Sequence, residues 1–183
     1  MSTRSTALAM AAMAAALLAA PTTASAARCA GGDVTPSSDN LASVRHSTLC
    51  LLNNERTSRG LRRLRDNAKL RSAAQAYSWS MVRHDFFDHT SPSGSTLLGR
   101  VRGTAYLASA RGWALGENIA WGAGYLATPR HTVRSWMHSP GHRHNILTGR
   151  FDEIGIGVVP GAPVSLPEGM NAATYTTDFG TRK

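Results

Sequence analysis

The residues best suited to chemistry sit in three short runs: "FFDHTSPSG" (Phe86 to Gly94), "GENIAWG" (Gly116 to Gly122) and "SWMHSPGHRHNIL" (Ser135 to Leu147). Each places an imidazole or a carboxylate beside glycine or proline. Such groups on turn-forming backbone, supported by flanking helices, commonly build a polar cluster in a cleft. His89, Glu117 and His142 are the candidates. Two imidazoles and a carboxylate are a ligand set that zinc accepts, with water completing a tetrahedron. The same trio could instead tie three loops together, because buried polar groups must be paired whether or not a ligand is present. Ser91 or Ser139 beside a histidine and Glu117 would supply nucleophile, base and orienter by residue type. No G-x-S-x-G turn and no H-E-x-x-H helix occurs, so hydrolysis is the minority expectation. His138 and His142 are four apart, yet Pro140 and Gly141 break the helix that would align them.

These runs need elements to position them. Asp39 or Ser38 can cap a first helix, in which Leu41, Val44, Thr48, Leu51, Leu52 and Glu55 recur at helical steps until Gly60 closes it. Asp66 is the expected cap of a second helix, with Leu70, Ala73, Ala74, Tyr77 and Met81 on one face and alanines small enough for close approach to a sheet. Phe86 and Phe87 then anchor the loop that carries His89. A short helix is expected over Ser95 to Arg102. Between Gly103 and Gly116 the pattern is weak, and "GENIAWG" reads as a turn. Thr128 with Pro129 starts another helix, which Pro140 and Gly141 end. His142 is thus expected just past a helix C-terminus, where the dipole mildly favours a protonated ring. "EIGIGVVP" (Glu153 to Pro160) and "ATYTTDFG" (Ala173 to Gly180) read as strands joined by the loop Gly161 to Met170. Helices followed by an antiparallel pair give an α+β chain.

The motifs F-F-x-H-x-S-P, G-E-N-I-A and W-M-x-S-P-G-H-R-x-N-I-L, in that order, resemble the short bacterial branch of the CAP superfamily, or SCP domain. The name joins cysteine-rich secretory proteins, antigen 5 and pathogenesis-related 1 proteins. The resemblance runs from about Leu49 to Gly180. It implies a three-layer α-β-α sandwich with a mainly antiparallel central sheet. It also implies a cleft tetrad of two histidines and two acidic residues that holds zinc or another divalent metal in some members. Carried over, His89, Glu117 and His142 fall on three of the four positions, and Ser139 stands where eukaryotic members have the second glutamate. A hydroxyl cannot neutralise a cation, so metal binding should be weaker here. Eukaryotic members are implicated in lipid binding or protein signalling. Trp113, Trp121, Tyr106, Tyr125 and Leu126 flank "GENIAWG" and could line an apolar pocket, with core packing the role expected of Trp121 and Trp136.

The 183 residues suit one domain. Arg4, the apolar run Ala7 to Ala20 and the small residues before Ala27 read as a signal peptide over residues 1–26, cleaved after about Ala26. An N-terminal arm at 27–40 and the CAP/SCP domain at 41–183 follow. The run is shorter than the ~20 residues a bilayer needs. Export favours a disulfide between Cys29 and Cys50. The formal charge of +9 is nearly all arginine. Arg56, Arg59, Arg62, Arg63 and Arg65 crowd into ten residues that could face an anionic cell wall, with a solvated helix end as the plainer reading. Nucleic acid is a poor fit for an exported chain without interleaved aromatics. The expectation is a secreted monomer whose cleft binds an unidentified lipid, small-molecule or protein ligand. The alternative is a metal-dependent or serine hydrolase of extracellular peptide or wall substrates.

Overall fold

A computed structural model describes residues 29–183; the signal-peptide reading and its cleavage point fall outside the described residues. The two segments of alternating pattern form the strands β3 (Glu153–Pro160) and β4 (Ala172–Arg182), paired antiparallel. On the far side of β4 runs β2 (Trp113–Ala123), also antiparallel, while the two-residue β1 (Arg65–Asp66) pairs parallel with β3. The sheet is mixed, with order β1-β3-β4-β2. With five α-helices among the described residues, the chain is α+β: α1 (Leu41–Thr57), α2 (Ala68–Arg83), α3 (Leu97–Gly103), α4 (Pro129–His138) and α5 (Pro140–Leu147).

Period two turns the strand side chains to opposite faces of the sheet, and the buried apolar residues gather in three clusters. Ile154, Ile156, Val158, Tyr175 and Phe179 pack with Val44 and Leu52 of α1, Trp136 of α4 and Ile146 of α5. Leu70 and Ala73 of α2 pack separately with Val101 of α3 and Tyr106, and Tyr77 and Met81 of α2 pack with Ile119 of β2. The glycines of β3 explain how closely α2 lies. A Cβ on Gly155 would stand 2.0 Å from the backbone of Leu70 and Arg71, and one on Gly157 would stand 2.3 Å from that of Ala74. The helix seats backbone against backbone on these glycines, and its alanines permit it.

Several details differ from the expectation. Asn67, rather than Asp66, caps α2, its side chain accepting from the amides of Lys69 and Leu70; Asp66 belongs to β1 and pairs with Arg71. Asn40 occupies the cap position of α1 without a side-chain bond to the helix. "GENIAWG" is mid-strand in β2 and not a turn. Its two glycines hid the pattern: a Cβ at Gly116 would crowd Phe151, and one at Gly122 would meet the carbonyl of Leu126. β2 lies at the sheet edge, and side chains of α4 and α5 take two of its carbonyls: Trp136 Nε1 donates to Ile119 O (3.1 Å) and Asn145 Nδ2 to Glu117 O (3.0 Å). Phe86 packs edge-on against Tyr77, but Phe87 is exposed. Trp136 is buried as expected, whereas Trp121 is exposed.

Arg56 separates from its neighbours. It is fully buried, and its guanidinium donates to the carbonyls of Arg62, Ile146, Thr148 and Phe151 at 2.7–3.1 Å. It therefore closes the end of α5 and the following loop onto α1, and burial pulls its pKa down. Arg59, Arg62, Arg63 and Arg65 remain exposed. The disulfide Cys29–Cys50 fastens the start of the described chain to α1, with Cα atoms 5.7 Å apart.

Candidate functional site

Glu117 sits on β2 directly opposite Asp178 of β4, on the side of the sheet that α2 and α3 cover. Its side chain is 3% exposed, and each oxygen has a partner. Oε1 meets His89 Nδ1 at 2.7 Å, and Oε2 accepts from Arg100 at 2.5 Å. The Phe86 anchor and the Tyr77 hydroxyl, which donates to Asp88 O at 2.6 Å, hold the loop that brings His89 there. Arg100 comes from α3, which Thr96 caps. Its guanidinium also donates to Ser95 O and His89 O, and its Cζ lies 3.3 Å from the centre of the Tyr77 ring. One cation thus braces the carboxylate, the loop and an aromatic face.

This arrangement presents His89 to solvent. Its side chain is 55% exposed while the carboxylate behind it is buried. The hydrogen bond to Glu117 raises the imidazole pKa against the opposing effect of burial. His142 is half-buried, and its pKa is lowered, first by burial and then by the charge of His89. His142 lies in the first turn of α5, because Ser139 ends α4 and Pro140 opens a new helix rather than stopping the chain. The expected C-terminal position is corrected to an N-terminal one, where the dipole disfavours the imidazolium. Its backbone carbonyl accepts from Asn118 Nδ2, which ties α5 to β2 beside Glu117. Of the three expected residues, His89 and Glu117 are in direct contact, and His142 reaches β2 through its backbone carbonyl.

Ser139 is half-buried at the α4–α5 junction and makes no capping bond. Ser91 Oγ is engaged with Ser93 Oγ and with the Ser95 amide, so neither serine is placed as a partner of His89. The aromatic set does not gather either: Tyr106 is buried, its hydroxyl donating to Glu153, whereas Trp113, Trp121, Tyr125 and Leu126 are exposed.

Two members of the cluster escaped the sequence reading. Arg100 carries no motif, and its role depends wholly on the distant β2. Asp178 is fully buried, and neither of its oxygens has a hydrogen-bond partner among the described residues. Burial first, and then the Glu117 carboxylate across the ladder, push its pKa well up. An acid inside a strand with both faces covered was the available signal.

A divalent metal does not fit these donors as arranged. Glu117 has both oxygens committed, one of them to a guanidinium, and no group of three His, Cys, Asp or Glu among the described residues is placed to hold an ion. Arg100 already supplies the positive charge a metal would bring.

With the geometry in place, the kinship is direct. A sequence model described as "CAP: Cysteine-rich secretory protein family" matches residues 49–175, and the chain belongs to that family. The uncharacterized protein YkwD of Bacillus subtilis (strain 168) is 38% identical over 111 residues, which are 60% of this chain and 40% of that protein. The chain therefore spans less than half of this relative. An extracellular SCP-domain protein of Bacillus anthracis shares the fold with a TM-score of 0.58 at 24% identity, over 79% of this chain and 43% of that one. An outer surface protein of Borrelia burgdorferi gives 0.55 at 21% identity, over 72% and 87% of the two chains. A cysteine-rich secretory protein of Staphylococcus aureus gives 0.51 at 19%, over 79% and 40%.

Proposed function

We propose that this CAP protein works outside the cell as a binding protein, holding a polar ligand with an acidic group in a cleft at His89, Glu117 and His142. One observation carries the reading: the chain Arg100–Glu117–His89, in which a braced, buried carboxylate orients an exposed imidazole. Such a ring has its Nδ1 side occupied and its Nε2 edge available to a ligand. The raised pKa of His89 favours a cationic donor, and the lowered pKa of His142 favours a neutral ring beside it. Export agrees with the leader-like first residues and with relatives described as extracellular or surface proteins. We read the helices as the outer layers of the family's three-layer α-β-α sandwich, with the strands as its mainly antiparallel centre, and the secreted form as a monomer.

Acid–base hydrolysis of an extracellular peptide or wall substrate is the second reading. The exposed His89 ring held by a buried carboxylate favours it, since such an oriented imidazole suits acid or base work, and the opposite pKa directions of His89 and His142 agree. Calorimetry of the protein starting at Ala27 with small carboxylates and with lipid extract separates these readings. Heat that disappears in His89→Ala supports binding. Turnover of peptide or wall substrate that disappears in the same variant would replace it. Saturable zinc heat lost in His89→Ala would restore the metal and require Glu117 to leave Arg100.

A further inference from the structure

We propose a second binding site, for one neutral sugar ring, in the cavity between α2, the turn at residues 91–95 and α3. The cavity measures about 310 Å³, within the range of small-molecule sites. Six of its ten lining residues are serine or threonine, none is acidic, and Arg100 is the one charged side chain among them.

The lining selects by chemistry. A serine hydroxyl both donates and accepts, as a sugar hydroxyl does, so a wall carrying Ser72, Ser80, Ser93 and Ser95 can answer a ring substituted on several carbons. Ala73 and Ala76 of α2 leave an apolar strip for the C–H face of such a ring. The charge of Arg100 is already matched by Glu117 at 2.5 Å, which leaves little attraction for an anion. The groove between α1 and α4 differs: Arg59, Arg130, Arg134 and Arg143 all line it.

Arg100 fixes one wall of the cavity. Its side chain is 9% exposed, and its guanidinium donates to Ser95 O, His89 O and Glu117, which holds the turn at residues 91–95 against α3. The other edge of this guanidinium holds Glu117, so the two sites share one wall. The sugar site nevertheless stands without the reading of the His89 cleft.

Amide NMR titration of the protein starting at Ala27 tests it, with methyl β-D-glucopyranoside, N-acetylglucosamine and inorganic phosphate as separate probes. Ala76→Trp fills the cavity from an exposed helix position, and Ser93→Trp fills it from the turn should the first variant not fold. Saturable shifts at residues 72–80, 91–95 and 104 are expected with a sugar. They should persist in His89→Ala and weaken about tenfold or more in the filled variant. No sugar shift at about 100 mM, equal shifts in the filled variant, or saturable shifts with phosphate alone would overturn the proposal. Loss of carboxylate binding in His89→Ala with sugar shifts intact would identify two separate sites.

Discussion

At the scale of single residues, the site is a chain of charges in which each link is held by the next. Arg100 and Glu117 are both nearly buried, so removing Glu117 leaves a buried guanidinium without its counter-charge, and removing Arg100 leaves the buried carboxylate with only the half-exposed His89 ring. Arg100→Met should therefore lower the unfolding free energy by about 3–5 kcal/mol, measured by urea denaturation. Asp178 contributes in the opposite sense. Its folded pKa is raised above the ordinary carboxyl value, so the folded state binds the proton more tightly. The stability this provides is complete below pH ~4 and is lost as pH rises towards the folded pKa. Asp178→Asn removes that slope, and its stability relative to wild type should grow from pH 4 to pH 7 in a series of urea midpoints. A difference that stays flat or shrinks would mean that Asp178 ionises freely.

Among the elements, β2 decides whether there is a site. It carries Glu117, receives α3 and α5 along its length, and lies beside Asp178 on β4. α2 matters almost as much, because Tyr77 supports both Arg100 and the His89 loop. Gly155→Ala or Gly157→Ala would drive a methyl into α2 backbone, which cannot yield as a flexible side chain would. Each should cost about 3 kcal/mol by thermal or urea unfolding and loosen the His89 loop. At this scale the sequence was unevenly legible. β3 was read to the residue because β-branched side chains alternate with glycine, and α4 was read from Thr128 and Pro129. β2 was missed because its glycines serve close packing while imitating a turn. α5 was missed because proline is read as a stop when it can equally open a helix.

For the molecule as a whole, three sequence motifs far apart in the chain touch β2, and their order carried the family resemblance from which a shared cleft was expected. What was not legible was the counter-charge. Nothing around Arg100 announces a buried cation, and Arg56 looked like one of five surface arginines until the fold set four carbonyls around it. Long-range partners of this kind arise only from topology. The disulfide acts at the same scale. Closing its loop should contribute about 3 kcal/mol in the chain-entropy model, so a Cys29→Ser, Cys50→Ser double variant should unfold at lower denaturant by that amount while keeping the His89–Glu117 contact.

The most direct measurement is a histidine-resolved NMR titration of the wild type and Glu117→Gln, with the His89 resonance assigned through His89→Ala. The account predicts a neutral His89 ring protonated on Nδ1, with a pKa above the ordinary imidazole value that falls in Glu117→Gln. A His89 pKa at or below the ordinary value, unmoved by Glu117→Gln, would contradict the oriented imidazole at the centre of the site.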